Sequence, residues 1–366
     1  MANQTFFQEI QGAAVLKHGI LGRYLVGWAS KVGSRSKDNL LYYLDGYAGP
    51  GTYTDGAPGS PALAVSTAQK LAHIREFRGI CVEHRAAEYR QLEQMLAPHD
   101  NWTAVEGRIE RCLPDLLKEI DDAPLFAFFD PFGVALPFDQ VVEVMKRSGR
   151  SSQVKTELLL NFSLPGLRRH CGGHLDSSLD YPSKATFLRK ADAWLGGEWW
   201  RAVWRDGGPT REQDIALEYL NRLRDAAGGG WGWYATDVSD TWTGPPSYWL
   251  LFLSKHYDGH WLFNQNLSSA RDNEYREFCG MATQRDLFSD GGVWVEVITE
   301  NIERLASRDG SFVPRENMGE LYGTVLGYAR ETHVRQALNQ LHEQGLIEPN
   351  PVGQKVPTMT VRWAGA

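Results

Sequence analysis

The chain is poor in the residues that build metal centres and disulfide frameworks. Cys81, Cys112, Cys171 and Cys279 are the 4 cysteines among 366 residues, far apart and with no C-x-x-C. Cys81 lies inside an apolar run, so the set reads as reduced thiols and no metal is expected. There is no G-K-[ST], which excludes a phosphate-cradling loop of the NTPase kind, and no complete G-x-G-x-x-G. No run of about 18 apolar residues and no basic-plus-apolar leader occurs, so a cytoplasmic protein without a membrane partner is expected. An excess of Lys and Arg is also missing. The net charge is −7, against the basic balance usual in proteins that coat nucleic acid. Repeats, low-complexity tracts and charge blocks are absent.

What is there is an ordinary globular composition, 42% hydrophobic and 23% charged, in a length that suits about two domains. The most informative stretch is Leu41 to Pro61. The apolar run Leu41-Tyr42-Tyr43-Leu44 ends in Asp45, glycines follow at 46, 49 and 51, and a helix is expected to open at Ser60-Pro61. Strand, bent glycine loop and helix in this order form a nucleotide-type cofactor site in an open α/β sheet. Glycine lets backbone approach a ligand and adopt positive φ. An acid before a short Gly-x-Gly suits S-adenosylmethionine (SAM), which carries an ammonium and no phosphate. The expected contacts are Asp45, Tyr47, Gly49 and Gly51.

Further strand ends carry acids. Gly79-Ile80-Cys81-Val82 ends in Glu83, placed to accept ribose hydroxyls. Ala104-Val105 leads into Glu106, beside the expected adenine position. Residues 124–129 (PLFAFF) have the content of a buried parallel strand and end in Asp130-Pro131-Phe132-Gly133. An Asp-Pro-aromatic sequence there suits methylation of a flat base amine: Asp130 accepts from the amine, Pro131 fixes the backbone and Phe132 stacks on the ring. Asp130, Pro131 and Phe132 are therefore the candidate catalytic residues. A fifth run (157–163) and later runs Trp231–Thr236 and Tyr248–Ser254, parted by Gly-Pro-Pro at 244–246, complete seven strands. This predicts a Rossmann-like α/β sheet of class I methyltransferase type, its last two strands an antiparallel hairpin.

These elements carry a resemblance. Ala14-Val15-Leu16-Lys17-His18, the stretch 45–61, residues 126–133, 159–169 and 248–265 resemble the three-Cys-motif partner family, which is linked to predicted methyltransferases. The name refers to cysteines of a partner protein, so the resemblance implies such a partner rather than a role for the cysteines here. More distantly, Leu16-Lys17-His18, Asp45 to Gly51 and Asp130-Pro131-Phe132 are similar to the large-subunit rRNA N6-adenine methyltransferases. Those have Asp-Pro-Pro-Tyr where Phe132 and Gly133 stand here, a departure that touches adenine chemistry more than SAM binding. The resemblance implies that Lys17, His18 and Asp130 also line the cofactor site.

Lys17-His18, Arg23 and Arg168-Arg169-His170 are candidates for a basic rim, with Arg168 and Arg169 as substrate contacts. Residues of about 171–230 form a helical insertion whose Trp199, Trp200 and Trp204 read as a core stripe. From about 286 to 366, helices over 295–307, 318–331 and 332–341, the last N-capped by Thr332, and strands at 346–347 and 358–363 predict a winged-helix module. Five Lys/Arg face five Asp/Glu over 311–366, so nucleic acid and protein are both open as its partner. The expected domains are thus 1–285 and 286–366. The expected function is a SAM-dependent methyltransferase acting on a nucleic-acid base amine. The alternatives are a methyltransferase-like component that binds a partner protein and a small-molecule methyltransferase.

Overall fold

Seven strands form one sheet: β1 (Leu40–Asp45), β2 (Glu76–Glu83), β3 (Trp102–Glu106), β4 (Leu125–Phe129), β5 (Thr156–Ser163), β6 (Gly232–Ser239) and β7 (Pro246–Ser254). The computed structural model describes residues 12–33, 36–131, 133, 136–147, 155–178, 182–241, 243–280 and 291–365. The strand order is β3-β2-β1-β4-β5-β7-β6. The first five strands are parallel, and β7 runs antiparallel between β5 and β6. This is the Rossmann-like class I methyltransferase sheet with its terminal antiparallel hairpin, as the strand pattern predicts.

Parallel strands covered on both faces need continuous apolar sequence, and all five residues of β4 are buried. Helices α1 (Gly12–Gly33), α2 (Ser60–Leu71), α3 (Ala86–Leu96), α4 (Ile109–Ile120) and α5 (Phe138–Lys146) alternate with these strands. One sheet face carries Tyr42, Leu44, Ile80, Val82, Ala127 and Phe129 into a core. That core also takes residues of α4, α5 and the insertion helices α8 (Lys184–Leu195), α9 (Trp200–Asp206) and α10 (Arg211–Ala226). Before them, α6 (Leu164–Leu167), a π-turn (Arg168–Gly172) and α7 (Gly173–Asp176) continue from β5. Trp200 and Trp204 are buried in this core and Trp199 packs against it, which fits the core-stripe expectation.

The opposite face belongs to α1. Tyr24 meets Phe126 and Phe252 at ring separations of 5.6 and 5.0 Å, and Trp28 meets Phe77 at 6.1 Å. Side chains alternate along a strand. Asp45 and Glu83 therefore share this face, and Asp130 continues the alternation one residue past β4.

The chain divides into two compact units, Met1–Lys255 and His256–Ala366, so the division falls at 255/256 rather than near 285. The second unit begins with α11 (Tyr257–Ala270), a π-turn (Arg271–Tyr275) and α12 (Arg276–Phe278). Polar groups explain why α11 belongs there. Asn264 donates to the Ala329 carbonyl (3.0 Å) and accepts from the Gly327 N–H (2.7 Å), and Arg271 donates to the Gly327 carbonyl (3.1 Å). Helices α13 (Gly291–Asp309), α14 (Met318–Tyr322) and α15 (Glu331–Glu343) follow, with a small sheet ordered β8 (Ser311–Phe312), β10 (Val361–Trp363), β9 (Ile347–Glu348). Two expectations are corrected. Helix α14 stops at Tyr322 because Gly323 takes φ +52°. The cap of α15 is Arg330, whose N–H donates to His333 Nδ1 (3.0 Å), not Thr332. Among the described residues no helix is long and apolar enough to cross a membrane.

Candidate functional site

The carboxyl ends of the parallel strands bring the predicted acids into one row. Glu83 stands opposite Glu106 in the β2–β3 register. Asp45 closes β1 between β2 and β4. The loop after Asp45 is tied to both neighbouring strands: Gly46 N–H donates to the Phe128 carbonyl and Ala48 N–H to the Val82 carbonyl, each at 3.0 Å. Gly49 (φ +61°) and Gly51 (φ +84°) turn the chain through a region that side chains disfavour. Gly59 N–H donates to the Gly51 carbonyl (2.9 Å), so the loop returns on itself before α2.

Glu83 is buried and held by backbone. Its Oε2 accepts the Gly49 N–H (3.0 Å) and its Oε1 the Arg85 N–H (2.8 Å). Carboxylate oxygens each accept two bonds, so Oε2 retains capacity for a hydroxyl. Asp45 is fully enclosed. It accepts the Tyr47 N–H and the Tyr43 hydroxyl, both at 3.1 Å, and a bond from Ser60. Burial pushes its pKa up to about 6 against the pull of these donors. Asp45 thus shapes the loop from beneath. Glu106 is exposed at the end of β3. The Tyr47 ring packs against the opposite core, so its backbone rather than its ring joins the row.

Asp130 forms the other half of the site. It makes an ion pair with Lys17 of α1 and accepts from Asn161 Nδ2 of β5 (2.5 Å). The Lys17 ammonium also lies 5.5 Å from the centre of the Tyr248 ring. Tyr248 in turn donates its hydroxyl to the Ala13 carbonyl (2.5 Å), which tethers the start of α1. His18 is buried, and its pKa falls to about 3, first through burial and then through the Lys17 charge, so it is neutral at pH 7. The Tyr53 ring lies 5.9 Å from His18. Burial and the Asp130 charge raise the Tyr53 pKa.

Of the buried side-chain atoms without a hydrogen-bond partner, His18 Nδ1 and Asn161 Oδ1 lie on residues beside Asp130. An unsatisfied buried polar group costs about 1–3 kcal/mol, so a ligand that bonds to these two atoms would relieve that cost. Asn161 was not singled out by sequence. An Asn inside an apolar strand run, at the end next to an Asp-Pro turn, is the signal that would have found it.

Pro131 is buried and lines an apolar pocket with Phe129, Leu136, Asn161 and Trp194. Phe132 lies outside the described residues. Arg168 and Arg169 are exposed after β5, and Arg168 is held by Glu212 in a two-pronged pair with both contacts at 2.6 Å. The row therefore joins Lys17, His18, Asp45, Gly49, Gly51, Glu83 and Asp130. Among the described residues no group of three His, Cys, Asp or Glu side chains is arranged to hold a metal.

No protein-family model and no curated protein matches the chain. Among solved structures it is similar to a protein from Legionella pneumophila at 14% identity, over 67% of this chain and 85% of that one (TM-score 0.39). It is similar to Aeropyrum pernix fibrillarin, solved in complex with S-adenosyl-L-methionine, at 12% identity over 58% and 65% (TM-score 0.30). It is also similar to the Geobacter metallireducens precorrin-6y C5,15-methyltransferase at 13% identity over 62% and 87% (TM-score 0.30).

Proposed function

We propose that the first unit is a SAM-dependent methyltransferase acting on an amino group of a nucleic-acid base. The observation that carries this reading is the row of carboxylates at adjacent strand ends. Asp45, Glu83 and Asp130 share one sheet face, and two unpaired buried atoms, His18 Nδ1 and Asn161 Oδ1, lie on residues bordering Asp130. The residues fit the cofactor. Glu83 would accept ribose hydroxyls, Gly49 and Gly51 would let backbone approach, and exposed Glu106 would border the adenine. Burial leaves the Asp45 charge poorly balanced, and an ammonium arriving nearby would favour its ionised form.

When bound, SAM supplies a methyl group activated on a sulfonium. The chain then has to hold and aim the amine. Asp130 accepts one N–H and Asn161 Oδ1 is a neutral acceptor beside it, two acceptors for the two hydrogens of an amino group. Lys17 positions Asp130 from α1. Phe132 is proposed as the stacking ring and Arg168 and Arg169 as outer substrate contacts. The second unit is proposed as a winged-helix-like module.

A second reading is a methyltransferase-like component that serves a partner protein, in line with the resemblance to the three-Cys-motif partner family. The balanced charge of residues 311–366 favours it. Calorimetry with S-adenosylhomocysteine separates a cofactor-binding enzyme from a bare scaffold: absence of heat would sink the cofactor assignment. Mass spectrometry of nucleosides from cells with and without the protein tests the substrate class, and unchanged methylated bases would favour the second reading.

A further inference from the structure

The insertion that follows β5 departs from the rest of the chain in charge. Over 168–190 it holds Arg168, Arg169, Lys184, Arg189 and Lys190 against Asp176 and Asp180, in a protein whose net charge is −7. Asp176 accepts the Trp204 Nε1–H (2.9 Å). Arg168 is neutralised by Glu212, whereas Arg169 and Lys190 are exposed.

These cations gather around aromatic rings. His174 stacks on Phe187 with centroids 4.2 Å apart and planes at 7°. His170 lies 6.5 Å from His174 and 6.4 Å from Phe187. Arg169, His174 and Lys190 are all near enough to His170 to disfavour its protonation, after burial itself. The cluster also touches the site. A Cβ on Gly133, in the turn after Asp130-Pro131, would stand 3.6 Å from His170 Nε2. A positive, ring-bearing surface therefore begins at the mouth of the proposed active site.

We propose that Arg169, His170, His174, Phe187 and Lys190 form a binding site for single-stranded nucleic acid, next to the nucleotide whose base enters at Asp130. Arg169 and Lys190 meet backbone phosphates, and the His174–Phe187 stack offers a face to a neighbouring base. A single strand fits better than a duplex because a base must be free of its own stack to lie on a ring. This rests on the base-methylation reading and adds to it a strand class and a path for the chain.

The test is fluorescence anisotropy of the full chain with a labelled single-stranded RNA, the same sequence as single-stranded DNA, and a duplex. The variant Arg169→Glu/Lys190→Glu changes two exposed residues. It should weaken binding of a single strand by about tenfold or more at low salt, and flatten the slope of log affinity against log salt by about 1.4 for two lost phosphate contacts. His174→Ala should weaken binding by about fivefold or more with the slope unchanged. S-adenosylhomocysteine calorimetry on each variant checks the fold and should match wild type. Equal strand binding by the double variant and wild type, or tighter binding of the duplex, overturns the proposal. Wild type that binds S-adenosylhomocysteine but no strand also overturns it and leaves the methyltransferase reading intact. Strand binding that depends on Arg169 and Lys190, without cofactor binding, keeps the site and defeats the methyltransferase reading.

Discussion

Helix α1 meets a carboxyl group at each end of the same sheet face. At the carboxyl end it sets Lys17 against Asp130; two turns later, at the other end, it sets Tyr24 against Glu157. The surroundings differ. Asp130 has a cationic partner, a neighbouring amide and an unpaired acceptor on that amide. Glu157 has the Tyr24 hydroxyl at 2.6 Å and the Ser254 hydroxyl at 2.9 Å. Burial pushes the Glu157 pKa up to about 7 despite both bonds. One end keeps an unpaired acceptor, Asn161 Oδ1. The other is closed on itself and pins α1 to β5 and β7, at a cost that depends on pH.

The contrast breaks most sharply at Asp130. Asp130→Asn should lower the methyl-transfer rate by a factor on the order of 10²–10³, the scale of removing one transition-state electrostatic partner, while S-adenosylhomocysteine affinity by calorimetry changes less than about tenfold. A wild-type rate would reduce this carboxylate to a strand-end turn.

The Glu157 end should answer in stability instead. Its folded pKa lies above the usual carboxylate value of 4.5, so the native state holds the proton more tightly than the unfolded chain between pH 4.5 and about 7. That contribution is therefore full below 4.5 and is lost as pH rises through 7. The loss is on the order of 3 kcal/mol. His18 acts in the opposite sense: its folded pKa, about 3, is lowered from 6.5. The difference between Glu157→Gln and wild type is therefore the quantity to follow by urea unfolding from pH 5 to 8. Glu157→Gln should gain on wild type as pH rises, with its methylation rate at pH 8 unchanged. A pH-independent difference would show that Glu157 is not buried as a proton carrier.

Glu83→Ala sharpens the cofactor half of the row. It should weaken S-adenosylhomocysteine binding by about tenfold or more, since hydrogen bonds to a charged group are worth about 1.5–3 kcal/mol. Unaltered heat would remove Glu83 from the site. The smallest effect is expected in the second unit. Reversing exposed Lys355 and Arg362 to Glu should weaken oligonucleotide binding by about threefold, measured by anisotropy, if this unit touches phosphate. No change there would direct it toward a protein partner.

Much of the sheet was legible because its signals are local. Buried parallel strands demand apolar runs, and each run from Leu41, Gly79, Pro124 and Glu157 became a strand ending within a residue or two of the expected place. The acids Asp45, Glu83 and Asp130 were visible as the residues that end those runs. The second unit was less legible. The boundary near 285 missed α11 because an amphipathic helix does not announce which domain receives its polar side chains, here Asn264 and Arg271. The cap of α15 was missed because Thr332 is a better N-cap by type than Arg330, and the backbone before the helix decided otherwise.

The sequence by itself determined the strands, the glycine loop and the acids at the strand ends, since period, apolar content and glycine conformation act within a few residues. Only the tertiary structure decided what each acid faces. The pairing of Lys17 with Asp130 spans 113 positions, and that of Arg168 with Glu212 spans 44. The enclosure of Asp45, the turning of the Tyr47 ring away from the row and the unpaired oxygen of Asn161 likewise depend on strand order, register and which face a helix covers. Those come from packing the whole sheet, and no local pattern carries them.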